Sequence, residues 1–267
     1  MSRPSPNPAP PADPNFASST AAAALSTGLP ARFRVVGLGE RRRADLGVEE
    51  DLLVQTEAQG LPLARLWHAR PALVVPKTYT QVAGFDRACA EAAGAGWPVW
   101  VRGSGGGLVP LGQGVLNLSL AWRTTAAPGD LMEPVYHLLV DRLSAALREL
   151  GLRAQPGEVT GSFCDGRFNL ALGGRKLVGT AQQWRRSERG GHLALAHALI
   201  LLDADLDEMV AMANRFEDLI GSGRRYERDR HVTLREALGA QAPDDLHSVF
   251  PALLAQALET APPPDQN

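Results

Sequence analysis

Apolar residues along this chain change period repeatedly, and the changes mark out its elements. In RFNLALGGRKLVGTAQQW, Phe168, Leu170 and Leu172 alternate with polar or small residues, and Gly173-Gly174 supplies the two positive φ angles of a two-residue hairpin turn. In that register Lys176 faces Ala171. HLALAHALILL predicts another strand, apolar enough toward its end to be buried on both faces, and Val115-Leu116-Asn117-Leu118-Ser119-Leu120 predicts an alternating one. LARLWHARPALVVP holds two apolar runs split by Pro71 and reads as strand, turn, strand.

Helical spacing appears between these stretches. TYTQVAGFDRACAEAAGAG carries small and apolar residues at that spacing and stops at glycine. PGDLMEPVYHLLVDRLSAALRELGL predicts a long amphipathic helix with Leu139, Leu143, Ala146 and Leu150 on one face and Pro134 tolerated in its first turn. DADLDEMVAMANRFEDLIG reads as a helix capped by Asp203 or Asp205 and ended by Gly221, and HVTLREALG through FPALLAQALET as short helices. Hairpins with interspersed helices imply an α+β fold: a single domain over residues 32–258, with a mixed, largely antiparallel sheet flanked by helices. The Pro-, Ala- and Ser-rich residues 1–31 and the tail 259–267 read as disordered.

Composition narrows the function classes. A net charge of -2 argues against a general nucleic-acid or membrane-surface binder, and no apolar run reaches the roughly 20 residues that span a bilayer. The AAAAL within the leader is too short for a signal-peptide core, so the expected location is the cytoplasm, where the two cysteines are expected as free thiols.

Two stretches carry candidate chemistry. RGSGGGLVP follows a predicted strand and packs four glycines into residues 103–107, which lets backbone pass close to a ligand or aim N–H groups at an anion. It lacks the Lys-Ser or Lys-Thr of a P-loop, and a strand follows it where a dinucleotide fingerprint needs a helix. Arg102 beside it could hold a carboxylate or phosphate through its planar fork. The second stretch is GSFCDGRF. Cys164 sits in a glycine-flanked loop open to a substrate, and a nearby ammonium would favour its thiolate. Hairpin numbering alone sets Cys164 opposite Gln183, seven residues from Lys176 or roughly 23 Å at strand rise. The loop would have to fold back for sulfur and ammonium to meet, so Cys164 stands open between nucleophile and small packed residue. Cys89, in RACAEAAG, reads as structural. His192 and His197 are five apart on one strand and point to opposite faces, a poor metal pair. His68 and His137 read as structural, and WRRSERGG as a solvated turn whose arginines could meet an acidic partner.

RGSGGGLVPLGQGVLNLSL, GRKLVGTAQ and HALILLDADL, in this order and at these separations, resemble the catalytic domain shared by lipoate–protein ligases, octanoyltransferases and biotin protein ligases. The GSFCDGRFNLALGGRKLVGTAQ stretch is most similar to the octanoyl amidotransferase branch. The resemblance implies a pocket for an acyl chain lined by Arg102, Ser104, Gly105, Gly106, Gly107, Gly179, Thr180, Ala181 and His197. It also implies a catalytic pair, Cys164 as acyl-thioester nucleophile and Lys176 favouring its thiolate, with backbone amides near Gly179 to Ala181 holding the oxyanion. Lipoate or octanoate would be the transferred group. The partners implied are lipoyl-domain proteins: the glycine-cleavage H protein as donor and 2-oxoacid dehydrogenase acyltransferase subunits as acceptors. No cofactor would be needed for transfer, no metal, nucleic acid or membrane would be involved, and the enzyme would act as a monomer. An ATP- and Mg2+-dependent lipoate ligase working through an adenylate is the alternative, although Pro110 stands where many such ligases carry a histidine. A non-catalytic protein that binds lipoyl domains is the other.

Overall fold

The computed structural model describes residues 28–41 and 47–260, and in it the alternating stretches form two sheets. The strands are β1 (Arg34–Arg41), β2 (Leu63–His68), β3 (Ala72–Pro76), β4 (Val99–Arg102), β5 (Val109–Leu111), β6 (Val115–Thr124), β7 (Gln155–Pro156), β8 (Leu170–Leu172), β9 (Arg175–Arg186) and β10 (His192–Leu201). Around them lie α1 (Gly47–Gln59), α2 (Phe85–Gly94), α3 (Pro128–Glu149), α4 (Leu206–Leu219), α5 (Leu234–Leu238) and α6 (Leu246–Glu259).

The larger sheet runs β1-β2-β6-β10-β9-β8-β7, antiparallel except for the β1–β2 pair, and the smaller runs β4-β3-β5. The architecture is therefore the expected mixed α+β one. The two runs around Pro71 do form strands, but in different sheets: β2 joins the large one and β3 the small one. The glycine loop also leads into a short strand, β5, that its sequence did not separate from β6.

Period two decides the two faces of the large sheet. Leu66, Leu118, Leu120, Ala196, Ala198 and Ile200 pack against Leu139, Leu143 and Leu147 of α3 and Phe250 and Leu254 of α6. On the opposite face, Leu52 and Leu53 of α1 cover Ala121, Leu193 and Leu195. The small sheet, α2 and α4 close the rest of that face through Leu73, Val75, Leu108, Leu199, Leu201 and Phe216. A cleft remains between α1 and the small sheet, floored by β9 and β10.

Local signals behave as their chemistry requires. Gly173 and Gly174 have φ of 56° and 76°, and Lys176 pairs with Ala171 as the hairpin register predicts. Asp205, one of the two expected caps, accepts a hydrogen bond from the Glu208 amide at 2.9 Å. The expected leader lies outside the described residues as far as residue 27, as does the tail from residue 261. Where the chain becomes described it is tied down: Gly28 O accepts from Trp122 Nε1 at 2.9 Å, and Ala31 O accepts from the buried Arg142.

Leu118 is fully buried between the sheet and α3, so Leu118→Ala is expected to destabilise the protein by about 2–5 kcal/mol. Asp205→Ala removes one cap on a partly exposed helix end and is expected to cost only about 1 kcal/mol. Urea denaturation of the two variants checks the order; equal effects would contradict this account of the core.

Candidate active site

A defect in the hairpin places the lysine. Beyond Ala171↔Lys176 the next pair is Leu170↔Val178, so Leu177 is an extra residue on β9. Without that bulge Lys176 would share a face with Val178, toward α3. With it, Leu177 and Val178 both enter the core, and Lys176 turns to the cleft side with Gly179. The side chain is 4% exposed. Its Nζ lies 3.1 Å from where a Cβ on residue 179 would stand, so a glycine there leaves the ammonium room.

The cysteine loop folds back to meet that ammonium. Lys176 Nζ donates to Phe163 O, and to Cys164 O at 3.0 Å. The strand-rise separation fails because Cys164 is not on a strand: β8 begins only at Leu170, and residues 161–169 turn over the sheet. Two further side chains fix the turn. Asn169 donates its Nδ2 to Cys164 O at 3.0 Å and accepts the Thr180 amide on Oδ1 at 3.1 Å. His231 Nε2 accepts the Phe163 amide at 3.0 Å, while Nδ1–H donates to Glu227 O at 2.9 Å. Cys164 itself has φ 46°, the one positive value at a non-glycine among the described residues, a conformation that persists only when its surroundings hold it.

The glycine loop supplies the other wall around the sulfur. Gly107 N–H points at Cys164 Sγ at 3.4 Å, and a Cβ on Gly106 would stand 2.4 Å from that sulfur. Glycine is needed there because the backbone passes directly over the thiol, at φ 103°. Arg102 is placed differently from the expectation of a carboxylate clamp. Its guanidinium donates to the carbonyls of Val74 (3.1 Å), Gly105 (2.9 Å) and Gly107 (2.7 Å), and one nitrogen lies 3.9 Å from Cys164 Sγ. It shapes the loop and adds positive potential beside the thiol.

These groups border a cavity of about 350 Å³. Arg102, Ser104, Cys164, Lys176, Gly179, Thr180, Ala181 and His197 line it, whereas Gly105, Gly106 and Gly107 act behind it through the loop's carbonyls and the sulfur contact. Apolar side chains complete the lining, among them Leu53, Trp67, Val74, Leu111, Leu195 and Leu199. The strand amides expected to hold an oxyanion are already engaged. Thr180 N–H goes to Asn169, and amides alternate along a strand, so those of Gly179 and Ala181 face their β10 partners Leu199 and His197.

His197, expected on the wall, has a partner there that the sequence pattern did not announce. His197 Nδ1 meets Glu49 Oε1 at 2.7 Å; Ser119 Oγ donates to the same oxygen at 3.0 Å and accepts from Trp67 Nε1 at 3.1 Å. Burial pushes the Glu49 pKa upward, but the His197 charge and the His197 and Ser119 hydrogen bonds together hold it below the usual value. Glu49 comes from α1, a helix the sequence pattern did not announce. The signal for Ser119 was present, since a polar residue recurs at every second position of VLNLSL. His192 and His197 do not converge, and among the described residues no cluster of His, Cys, Asp and Glu could hold a metal ion. Cys89 is partly buried, and burial raises its pKa, consistent with a packing role.

Burial draws the pKa of Lys176 down to about 8, against the upward pull of Cys164 and Asp165. His231, with 0% exposure, is pushed down to about 4, chiefly by burial and further by Lys176 and Arg228, against the pull of the Glu227 carbonyl and Asp229. The unfolded chain therefore binds a proton at His231 between about pH 6.5 and 4 that the folded protein does not. Stability is full above pH 6.5 and is lost as the pH falls toward 4, by on the order of 3 kcal/mol from this group. Urea titrations should show a wild-type stability advantage over His231→Gln that shrinks across this window; a constant difference would show that the ring is not buried neutral.

Residues 43–257 match the family model described as the lipoyl protein ligase A/B catalytic domain. The chain is 43% identical over 232 residues to an uncharacterized protein of Cupriavidus necator, covering 80% of this chain and 92% of that one. It is 37% identical over 212 residues to the octanoyl-[GcvH]:protein N-octanoyltransferase of Kyrpidia tusciae, covering 76% of this chain and 71% of that enzyme. Among solved structures it resembles a lipoate-protein ligase A bound with ATP, with a TM-score of 0.62 at 20% identity over 88% of each chain, a likeness of fold. The family model spans most of the described residues, including both walls of the cavity and the Cys164 loop. This chain belongs to the lipoyl protein ligase A/B catalytic-domain family, in the branch that holds the octanoyltransferases.

Proposed function

We propose that this acyltransferase moves an octanoyl or lipoyl group onto a lysine of a lipoyl domain through a thioester on Cys164. The observation that carries the reading is the surroundings of one sulfur on the cavity wall: the Gly107 N–H aimed at Cys164 Sγ at 3.4 Å, an Arg102 nitrogen 3.9 Å from it, and the Lys176 ammonium held on the Cys164 carbonyl. A substrate in the cavity can reach a sulfur placed this way, and the surrounding donors oppose no charge that develops there.

The thiolate attacks the acyl carbonyl of an octanoyl-lysine on a donor such as the H protein. A C–S bond forms, the amide C–N bond breaks, and the leaving lysine nitrogen takes a proton from Lys176 Nζ. Lys176 uses two of its three N–H groups on backbone carbonyls and has one left to donate toward the reacting centre. With the Gly107 amide, this gives the developing oxyanion a donor set different from the strand amides of Gly179 to Ala181. The acceptor lysine then attacks the thioester as a free amine, its proton returns to Lys176 Nζ, the C–S bond breaks, and the thiolate is restored. The bond broken in the donor and the bond made in the acceptor are both lysine amides, so the exchange is close to balanced and needs no ATP. Leu53, Trp67, Val74, Leu111, Leu195 and Leu199 offer the chain an apolar lining, with the His197–Glu49 pair as its polar element. The enzyme is proposed to act in the cytoplasm as a monomer.

The K. tusciae relative named for transfer from GcvH covers most of this chain and supports the choice of a carrier-bound donor. Incubation with octanoyl-loaded H protein should give an enzyme heavier by one octanoyl group in intact mass, lost in Cys164→Ala. Lys176→Met should slow transfer by about 10²–10⁴ and, by leaving the Phe163 and Cys164 carbonyls without their donor, also lower the urea midpoint. Transfer to an apo-lipoyl domain should proceed from octanoyl H protein without ATP. Labelling that requires ATP and free lipoate, and that survives in Cys164→Ala, would replace this reading with the adenylate-forming ligase; lipoyl-domain binding without turnover under either condition would reduce the protein to a binding module.

A further inference from the structure

The segment Tyr226–Val232 grips both halves of the proposed catalytic pair. On the loop side, Glu227 N–H donates to Gly161 O at 2.9 Å, and Phe163 N–H donates to His231 Nε2 at 3.0 Å. The Phe163 ring is held between the rings of His231 and Tyr226, with centroid distances of 4.1 and 5.2 Å. On the strand side, Val232 N–H donates to Lys176 O at 2.9 Å, and His231 forms an isolated parallel bridge with Lys176. Tyr226 is itself pinned to α4, since its backbone exchanges two hydrogen bonds with the Asn214 side chain, at 2.8 and 2.9 Å.

We propose that His231 is a positioning residue for acyl transfer: its ring fixes the Phe163–Cys164 backbone relative to Lys176, and so sets the reactivity of the Cys164 thiol. This rests on Cys164 being the nucleophile. The argument is geometric. The two carbonyls that Lys176 Nζ binds belong to Phe163 and Cys164, the residue whose amide His231 accepts and the residue after it. If that amide loses its acceptor, the loop no longer presents both carbonyls to the ammonium, and the left-handed turn at Cys164 loses one of its supports. Only a neutral ring can serve, because both ring nitrogens are committed: Nδ1–H donates to Glu227 O and Nε2 accepts. Burial beside an ammonium keeps it neutral through the pH range of transfer.

The experiment compares His231→Phe, which keeps a ring but has no acceptor, with His231→Gln, whose amide oxygen can stand where Nε2 stands. Two readouts are taken: the pH dependence of Cys164 carbamidomethylation by iodoacetamide in the absence of substrate, and single-turnover octanoyl transfer. In His231→Phe the alkylation midpoint should move about one pH unit upward, and single-turnover transfer should slow with it. In His231→Gln both should return most of the way to wild type. A wild-type alkylation profile in folded His231→Phe overturns the proposal, even if transfer is lost, because the residue would then act on substrate and not on the thiol. If His231→Phe does not fold, His231→Gln decides alone: a shift as large as one unit despite a retained acceptor counts against the assignment, and a retained midpoint supports it. Full transfer by Cys164→Ala would remove the covalent mechanism while leaving the alkylation result able to stand, so the two failures are distinguishable.

Discussion

A buried ammonium on two backbone carbonyls organises this site. Lys176 is almost without solvent, and a charge so placed costs several kcal/mol unless its donors find acceptors. Here the acceptors are the carbonyls of Phe163 and Cys164, so the need to solvate the lysine becomes a force that folds the cysteine loop over the sheet. The loop in turn places Sγ against the glycine backbone, where residue 106 has no room for a side chain. Removing the positive charge would loosen the loop and leave its carbonyls unsatisfied in one step. Stability and reactivity are therefore coupled at one nitrogen atom.

The supports around that nitrogen come from distant parts of the chain. The bulge at Leu177 turns the lysine to the cleft, Asn169 joins the loop to β9, and Arg102 gathers carbonyls of the small sheet and the glycine loop. His231 closes the arrangement from the C-terminal side. Each uses a polar side chain to satisfy backbone groups that irregular segments leave open, which lets a non-repetitive loop be as fixed as a strand. The cavity walls follow a simpler rule, with alternate residues of β10 facing the cleft and their neighbours facing α3 and α6.

The parts legible in the sequence were those governed by local periodicity. The Gly173-Gly174 turn, the pairing of Lys176 with Ala171, the buried run of β10 and the Asp205 cap all follow from nearest-neighbour chemistry, and all stand in the structure. What escaped was set by contacts between remote segments. Counting strand rise from Lys176 to Cys164 assumed an unbroken ladder, whereas the ladder ends at Leu170 and the chain beyond it obeys side chains from residues 169, 176 and 231. Glu49 was missed because α1 carries few apolar residues at helical spacing, and its carboxylate matters only once β6 and β10 bring Ser119 and His197 alongside. Arg102 was found, yet its fork was assigned to a ligand when the backbone of its own loop was the nearer acceptor.

The wall of the cavity poses a different balance. A chain of methylenes gains nothing from the His197–Glu49 pair, and desolvating polar groups against hydrocarbon opposes binding. Yet the pair is well compensated from behind: Ser119 donates to the carboxylate, and Trp67 Nε1 in turn donates to Ser119. Those bonds are made within the protein, and the Trp67 ring lies 6.2 Å from the imidazole along the same lining. The apolar stretch is thus not a uniform slot but one with a fixed polar point whose solvation is supplied internally. The polar bonds on this part of the wall are all made within the protein, so an acyl chain is asked to supply none of them.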